Sequence, residues 1–277
     1  MRSRPRVALW IDNASQTSAM ALLVLVCAFL VIPLLIIAIM SFDARTYLGR
    51  FPPPNFTFQW YLRLFSSDYF LKGFKYSVLI ALAATLVSTA IGVSAALAIS
   101  RSSRAAREMM TSIFLSPLVV PGVVVGVALL LFYSELGIGS RLLRLVGAHV
   151  LITFPYALRT ALASISAIPR SMSEAAHNLG ANDRQTFMTI TLPLARTGIA
   201  AGAIFAFAFS FDDVAVSLFL SDADTYTLPV ALINIMYANL DLTIAAAAML
   251  QVIFVIAITF VLDKLVGVEE VVGPHLN

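Results

Sequence analysis

The chain has 277 residues, 60% of them hydrophobic and only 12% charged, with a formal net charge of +3. Soluble domains carry about 25% charged residues, so this composition excludes an ordinary soluble domain and marks a membrane protein. The pI near 9.2 comes from a small excess of Lys and Arg. It reads as loop charge facing lipid headgroups and cytosol, not as a nucleic-acid surface.

A helix needs about 20 apolar residues to cross the hydrocarbon core, and six segments qualify. The first, Ala19 to about Met40, is too long for a signal-peptide core and stays as a span. It holds the single cysteine, Cys27, which has no intrachain disulfide partner and reads as a packing residue. The outer segment that follows contains Pro52 to Pro54, expected to be stiff and extended. Trp60, Tyr61 and Phe65 then have the character of an interfacial aromatic belt. The second span runs from Tyr76 to Ile99. The third, Met109 to Tyr133, contains Pro117, Pro121, Gly122 and Gly126 and is predicted to bend. The fourth runs from Val146 to about Ile168 and includes His149, Pro155 and Arg159. The fifth, Leu194 to Leu220, contains Asp212 and Asp213. The sixth, Leu242 to Leu262, is uncharged. With no linker, low-complexity tract or repeat, residues 1–277 read as one all-α, polytopic membrane domain of six transmembrane helices.

Basic residues set the orientation. Arg2, Arg4 and Arg6, then Arg101, Arg104 and Arg107, then Arg170, Arg184 and Arg196 all fall on one side. That side is expected to be cytoplasmic and to hold both termini. The opposite loops are less clean, because Arg45, Arg50, Arg63, Lys72, Lys75, Arg141 and Arg144 lie there. The last outer loop, Ser221 to Asp241, has acids and no base.

Charged groups at membrane depth are costly and are usually functional or paired. Asp212 and Asp213 follow Ser210 and Phe211, about 27 Å up the fifth helix from Leu194. Successive helical residues point about 100° apart, so at most one faces a pathway squarely. One reading is a carboxylate gate for a cationic solute. The other is a packing bond or a pair with Lys72 or Lys75. Arg159, in the inner half of the fourth span, either snorkels to headgroups, pairs structurally, or lines an inner cavity.

Residues 170–193, polar and charged between two spans, read as two short helices joined by a turn. Ser171 with Glu174 fits a capping box at the first helix, and Asn182 with Gln185 fits one at the second. Gly180 suits the left-handed turn between them. Pro193 stops the second helix or starts the next. Ala175 and Ala176 on one arm, and Phe187 and Ile190 on the other, suit docking into a partner's groove.

No phosphate-binding Gly-x4-Gly-Lys-Ser/Thr loop is present. His149, His177 and His275 lack metal-ligand spacing, and no Gly-x-Ser-x-Gly elbow or Cys–His pair suggests a nucleophile. The residues therefore predict no enzyme, no metal and no cofactor on this chain.

Glu174, Ala175, Ala176, Gly180, Ala181, Phe187, Ile190, Leu192 and Pro193 together resemble the EAA loop of ABC-importer permeases. The resemblance implies a bacterial inner-membrane permease whose loop is gripped by an ATPase. It implies a second permease subunit, two cytosolic ATPase subunits that bind ATP and Mg²⁺, and an extracytoplasmic substrate-binding protein. The segment with Trp60 and Tyr61 then reads equally as a contact for that binding protein. Three further stretches are similar to permeases of the spermidine/putrescine class: Pro155–Thr160 around Arg159, Ser210–Val214, and Ser116–Leu130 in the third span. Relatives that move opines, aminophosphonates and other amines look much alike, so the resemblance leaves the cargo open among them. An ion-coupled carrier or channel is the reading from another class, and the docking loop argues against it.

Overall fold

The computed structural model describes residues 6–47, 49–238 and 241–266. Arg2, Arg4 and His275 lie outside the described residues. Among these residues the chain is helical, with an isolated bridge between Asp43 and Phe56 as its one extended pairing. In chain order the helices are α1 (Arg6–Met40), α2 (Gln59–Ser66), α3 (Asp68–Arg101), α4 (Arg104–Leu115), α5 (Gly122–Glu135), α6 (Arg141–Ala167), α7 (Arg170–Asn178), α8 (Asp183–Thr186), α9 (Leu192–Asp212), α10 (Ser217–Leu220), α11 (Leu228–Ala238) and α12 (Thr243–Val266). Five are long and apolar enough to cross a membrane, and the bent pair α4–α5 makes up to six.

The described residues fall into two compact units. The first comprises the described parts of Met1–Ser66 and Asn239–Leu250. From Gln16 to Met40, α1 exposes nearly every side chain, and Cys27 is exposed with them. The expected packing role of Cys27 is thus not realised in this chain, because its helix presents an all-round apolar surface that suits lipid. Trp60 and Tyr61 also depart from the expected aromatic belt. Trp60 is buried and its indole N–H donates to the Asp43 carbonyl at 2.6 Å, while the Tyr61 hydroxyl lies 2.8 Å from Ser41 Oγ. Both rings close the end of α1, packing with Met40, Leu242 and Ala246. Phe65 alone stays exposed. The chain bends at Pro52 and Pro54, so the proline run is not extended. Asp43 is buried against Arg45, whose guanidinium holds its carboxyl below the usual carboxylate range.

The second unit, Ser67–Ala238 with the described part of Gln251–Asn277, is built on α6. This helix packs between α3 and α9 through small residues. A Cβ on Gly92 of α3 would lie 3.0 Å from Ala157 Cβ and 3.0 Å from the Leu158 backbone nitrogen. One on Gly202 of α9 would lie 3.2 Å from Ala157 Cα. Ala96, Ala161 and Ala195 are fully buried around Leu158. In lipid there is little hydrophobic force between helices, so close backbone approach supplies the attraction.

Two elements go beyond what the residue pattern predicts. The third span breaks between Leu118 and Gly122 into halves inclined at 93°, where Pro117 and Pro121 withhold backbone donors. The stretch read as an outer loop contains α11, an apolar helix too short to cross. Tyr226, Val230 and Ala231 bury its start against Tyr69, and Ser77 Oγ of α3 accepts the Leu228 N–H at 2.8 Å. Before α11, Asp222 accepts N–H groups of Asp224 and Thr225 and pairs with Arg141. Burial opposes its ionisation, but those partners outweigh it and hold the carboxyl below its usual range.

Replacing Gly92 by Ala forces a Cβ against backbone atoms of α6, an overpacking cost of about 1–3 kcal/mol. The purified protein should melt at a lower temperature, whereas Gly139→Ala, with open space around it, should leave melting unchanged. Equal melting of the two variants would show that α3 and α6 are not locked by this contact.

Candidate functional site

The loop between α6 and α9 forms a helical hairpin. Pro169 takes the N-cap position of α7, with φ −59° and ψ 132°, and Arg170 is the first helical residue. Ser171 therefore lies inside the helix and caps nothing, contrary to the expected Ser171–Glu174 box. The C-terminus of α7 follows expectation. Gly180 has φ +89°, its N–H donates to the His177 carbonyl at 2.9 Å, and the Ala181 N–H donates to the Ala176 carbonyl at 3.0 Å. This pair of bonds is a Schellman motif, and the left-handed residue it needs is costly for anything but glycine. Asn182 then opens α8 with a complete capping box. Its N–H donates to Gln185 Oε1 at 2.8 Å, and its Oδ1 accepts the Gln185 N–H at 2.9 Å.

The second arm does not stop at Pro193. It passes from α8 through a π-turn, Phe187–Thr191, into α9, so Asp183–Asp212 is one continuous 30-residue helix. Pro193 lacks the N–H that an α-helix would donate at that point, and a widened turn just before it accommodates the gap. The helix that carries the fifth span thus begins at Asp183 and not at Leu194.

Exposure sorts the loop residues. Glu174, Ala175, Gly180 and Pro193 are exposed, Ala181, Phe187 and Ile190 are half-buried, and Ala176 is buried. Of the expected docking residues, Ala176 is thus withdrawn from the surface, and Phe187 and Ile190 are only partly open. The free apolar surface belongs to residues the sequence reading did not single out. Leu179, at the tip, is 89% exposed, and Met172 on one arm and Met188 on the other are exposed as well. An apolar residue at the last position before a left-handed glycine was the available signal. Asp183 ties the loop to its surroundings through His177 Nε2 at 3.3 Å and Arg101 of α3 at 3.4 Å. A cavity of about 490 Å³ lies under the loop, lined in part by Arg101, Arg107, Arg170, Glu174 and His177.

At its other end, α9 stops at Asp212. Asp213 has already left the helix, with φ −65° and ψ 127°, so the expected continuous helix through it is not formed. Its carboxylate accepts the N–H of Val216 at 3.2 Å, the N–H of Ser217 at 2.9 Å and the Ser217 hydroxyl at 3.0 Å. It serves as the anchor of α10. Neither Lys72 nor Lys75 pairs with it; Lys72 lies 3.8 Å from Asp224. Asp212 is exposed and accepts a bond from Gln251 Nε2 of α12 at 2.6 Å.

Beside Asp213, fully buried His149 of α6 bonds Ser210 Oγ at 2.7 Å and Ser217 Oγ at 3.0 Å. Because Ser217 donates its proton to Asp213, its oxygen is free to accept from His149 Nε2, which leaves Nδ1 to accept from Ser210. The chain Ser210–His149–Ser217–Asp213 thus satisfies every polar atom it contains. Histidine spacing along the sequence gave no hint of this cluster, since its members come from α6, α9, the turn after α9 and α10. Ser210 is buried and Asp213 committed to α10, so of the four expected pathway residues Asp212 and Arg159 remain open. Arg159 is exposed on α6 and forms no hydrogen bond or ion pair among the described residues. Among those residues no group of three or more potential metal ligands occurs.

Residues 88–267 match the family of binding-protein-dependent transport system inner membrane components. The chain belongs to this family. It is a multi-pass inner-membrane permease subunit of an ABC importer, as the loop resemblance implied, and the carrier or channel reading falls away. The chain is 29% identical over 246 residues to the spermidine/putrescine transport system permease protein PotC of Haemophilus influenzae, covering 89% of this chain and 95% of that one. It is 29% identical over 236 residues to the putrescine transport system permease protein PotI of Escherichia coli, covering 83% of each. The fold is similar to that of a bacterial ABC transporter involved in the import of the acidic polysaccharide alginate, with a TM-score of 0.73, 18% identity, and coverage of 94% of this chain and 98% of that one.

Replacing His149 by Ala should orphan the Ser210 and Ser217 hydroxyls and open a cavity, at a cost of roughly 2–5 kcal/mol. Asp212→Asn keeps the polar contact at the helix end and should leave stability near that of the unaltered protein. Thermal unfolding of the purified transporter reads both. Unchanged melting for His149→Ala would remove the structural role assigned to the cluster.

Proposed function

We propose that this permease imports polyamines, spermidine or putrescine, or a closely related cationic amine. The observation that carries the proposal is the similarity to the PotC and PotI permeases, which extends over 83% or more of the chain. Exposed Asp212 at the outer end of α9 suits a cargo bearing several positive charges. The chain itself acts as a conduit and catalyses no covalent step. A second permease subunit completes the pathway, two cytosolic ATPase subunits bind ATP and Mg²⁺, and an extracytoplasmic binding protein delivers the cargo. The excess of Arg near the hairpin and in the α3–α4 connection supports a cytoplasmic loop with cytoplasmic termini.

In this reading the ATPase holds the exposed face of the hairpin around Glu174, Ala175, Leu179 and Gly180. Closure of the ATPases on nucleotide displaces the hairpin. Because α8 and α9 are one helix, the displacement reaches Asp212 as rigid-body movement and not as bending of a loop.

The test uses the complete transporter in proteoliposomes with its binding protein. ATP-driven uptake of labelled spermidine and substrate-stimulated hydrolysis are expected in the unaltered complex. In Gly180→Val, a branched side chain at positive φ costs about 1–2 kcal/mol, so both rates should fall roughly 5- to 30-fold at equal complex abundance. Full rates would remove the coupling role, while hydrolysis that no polyamine stimulates would remove the cargo. In spheroplasts, with Cys27 replaced, a cysteine at Asn182 should be shielded from an impermeant thiol reagent and one at Ala223 should label; the opposite pattern would invert the orientation.

A further inference from the structure

We propose that the cleft between α4 and α6 holds the phosphate of an anionic phospholipid. The cleft has a volume of about 240 Å³, and Arg107, Arg159, Leu115, Leu158, Leu162 and Ser166 are among its lining residues. No carboxylate lines it. The neighbouring arginines are matched: Arg104 pairs with Glu108 at 3.0 Å and Arg101 with Asp183 at 3.4 Å. Arg107 and Arg159 form no ion pair among the described residues. Arg107 gives one N–H to the Ser100 carbonyl at 2.7 Å, but its Nε is buried with no partner. Phosphate offers the acceptor geometry that guanidinium fits best.

The walls decide the source of that phosphate. Leu115, Leu158 and Leu162 give the cleft an apolar side suited to an acyl chain and of no use to a free anion. Arg107 and Ser166 also line the cavity beneath the hairpin, which places the cleft toward the hairpin end of the bundle. Basic pockets between transmembrane helices at such depth bind phospholipid headgroups. Two unpaired cations repel a polycation, so the same site is unsuited to hold an amine cargo. Arg159 accordingly passes from pathway candidate to lipid ligand. The lipid assignment stands apart from the cargo and from the orientation proposed above, which only sets the leaflet.

The complete transporter is purified in detergent containing equal phosphatidylglycerol and phosphatidylcholine, and retained lipid is weighed by native mass spectrometry. The unaltered complex should retain phosphatidylglycerol in preference to phosphatidylcholine. Arg107→Gln or Arg159→Gln should lower that retention about fivefold, and the double variant about thirtyfold. Arg104→Gln should not change it, and the Lys double variant should keep most of it. Equal retention of the two lipids by the unaltered complex would overturn the proposal, as would unchanged retention in the Gln double variant. Displacement of the lipid by excess inorganic phosphate would reassign the cleft to a free anion and overturn it equally. If the Gln double variant does not assemble, the lipid preference of the unaltered complex and of the Lys variant decides.

Discussion

The close approach of α3 and α9 to α6 is the constraint on which the second unit rests. Gly92 and Gly202 leave no room for even a Cβ without pressing on α6. In lipid, where tails are as apolar as leucine, helices gain from touching only if their backbones come near. Small residues at Gly92, Ala157, Ala161 and Gly202 provide that nearness, and they lock α3, α6 and α9 into one block. The exposed apolar surface of α1 reflects the same physics from the other side, since a side chain facing lipid needs no protein partner.

Polar groups then specify what small residues cannot. Small-residue packing fixes distance but specifies rotation and axial position weakly. The Ser210–His149–Ser217–Asp213 chain supplies position at one end of α9, because moving α9 along α6 would strand several buried polar atoms at once. At the other end, the hairpin is defined by backbone motifs: a proline start, a Schellman turn at Gly180 and a capping box at Asn182. Between these ends, α8, the π-turn and α9 form one helix. The hairpin is thus joined to a continuous helix that is itself tied to α6 by the buried polar chain.

How much of this was written legibly in the sequence depended on the range of the interaction. The Asn182–Gln185 box and the glycine turn are local, and their residue types and spacing disclosed them. Ser171 showed the same spacing with Glu174, yet Pro169 took the helix start two residues earlier. The bend of the third span followed from Pro117 and Pro121, though its size did not. The partners of Trp60 and His149 were hidden because they come from residues distant in the chain. Asp213 was misplaced because the apolar run continues past the true end of α9, and hydropathy does not mark where an acidic side chain turns back to cap a new helix. Arg159 could be seen as unusual, but the absence of any carboxylate around it became visible only when α4 folded against α6.

If the proposed coupling holds, the hairpin and the outer end of the fifth span move as one body. Spin labels at Arg184 and Phe209, with Cys27 replaced, sit on the same helix, about 37 Å apart at 1.5 Å per residue. Their separation in the reconstituted complete transporter should be the same without nucleotide and with ATP trapped, while a label pair from Arg184 to an ATPase subunit stays equally fixed. A change of more than about 5 Å within the helix, roughly one helical turn, would place a hinge at the π-turn and contradict transmission by a rigid helix.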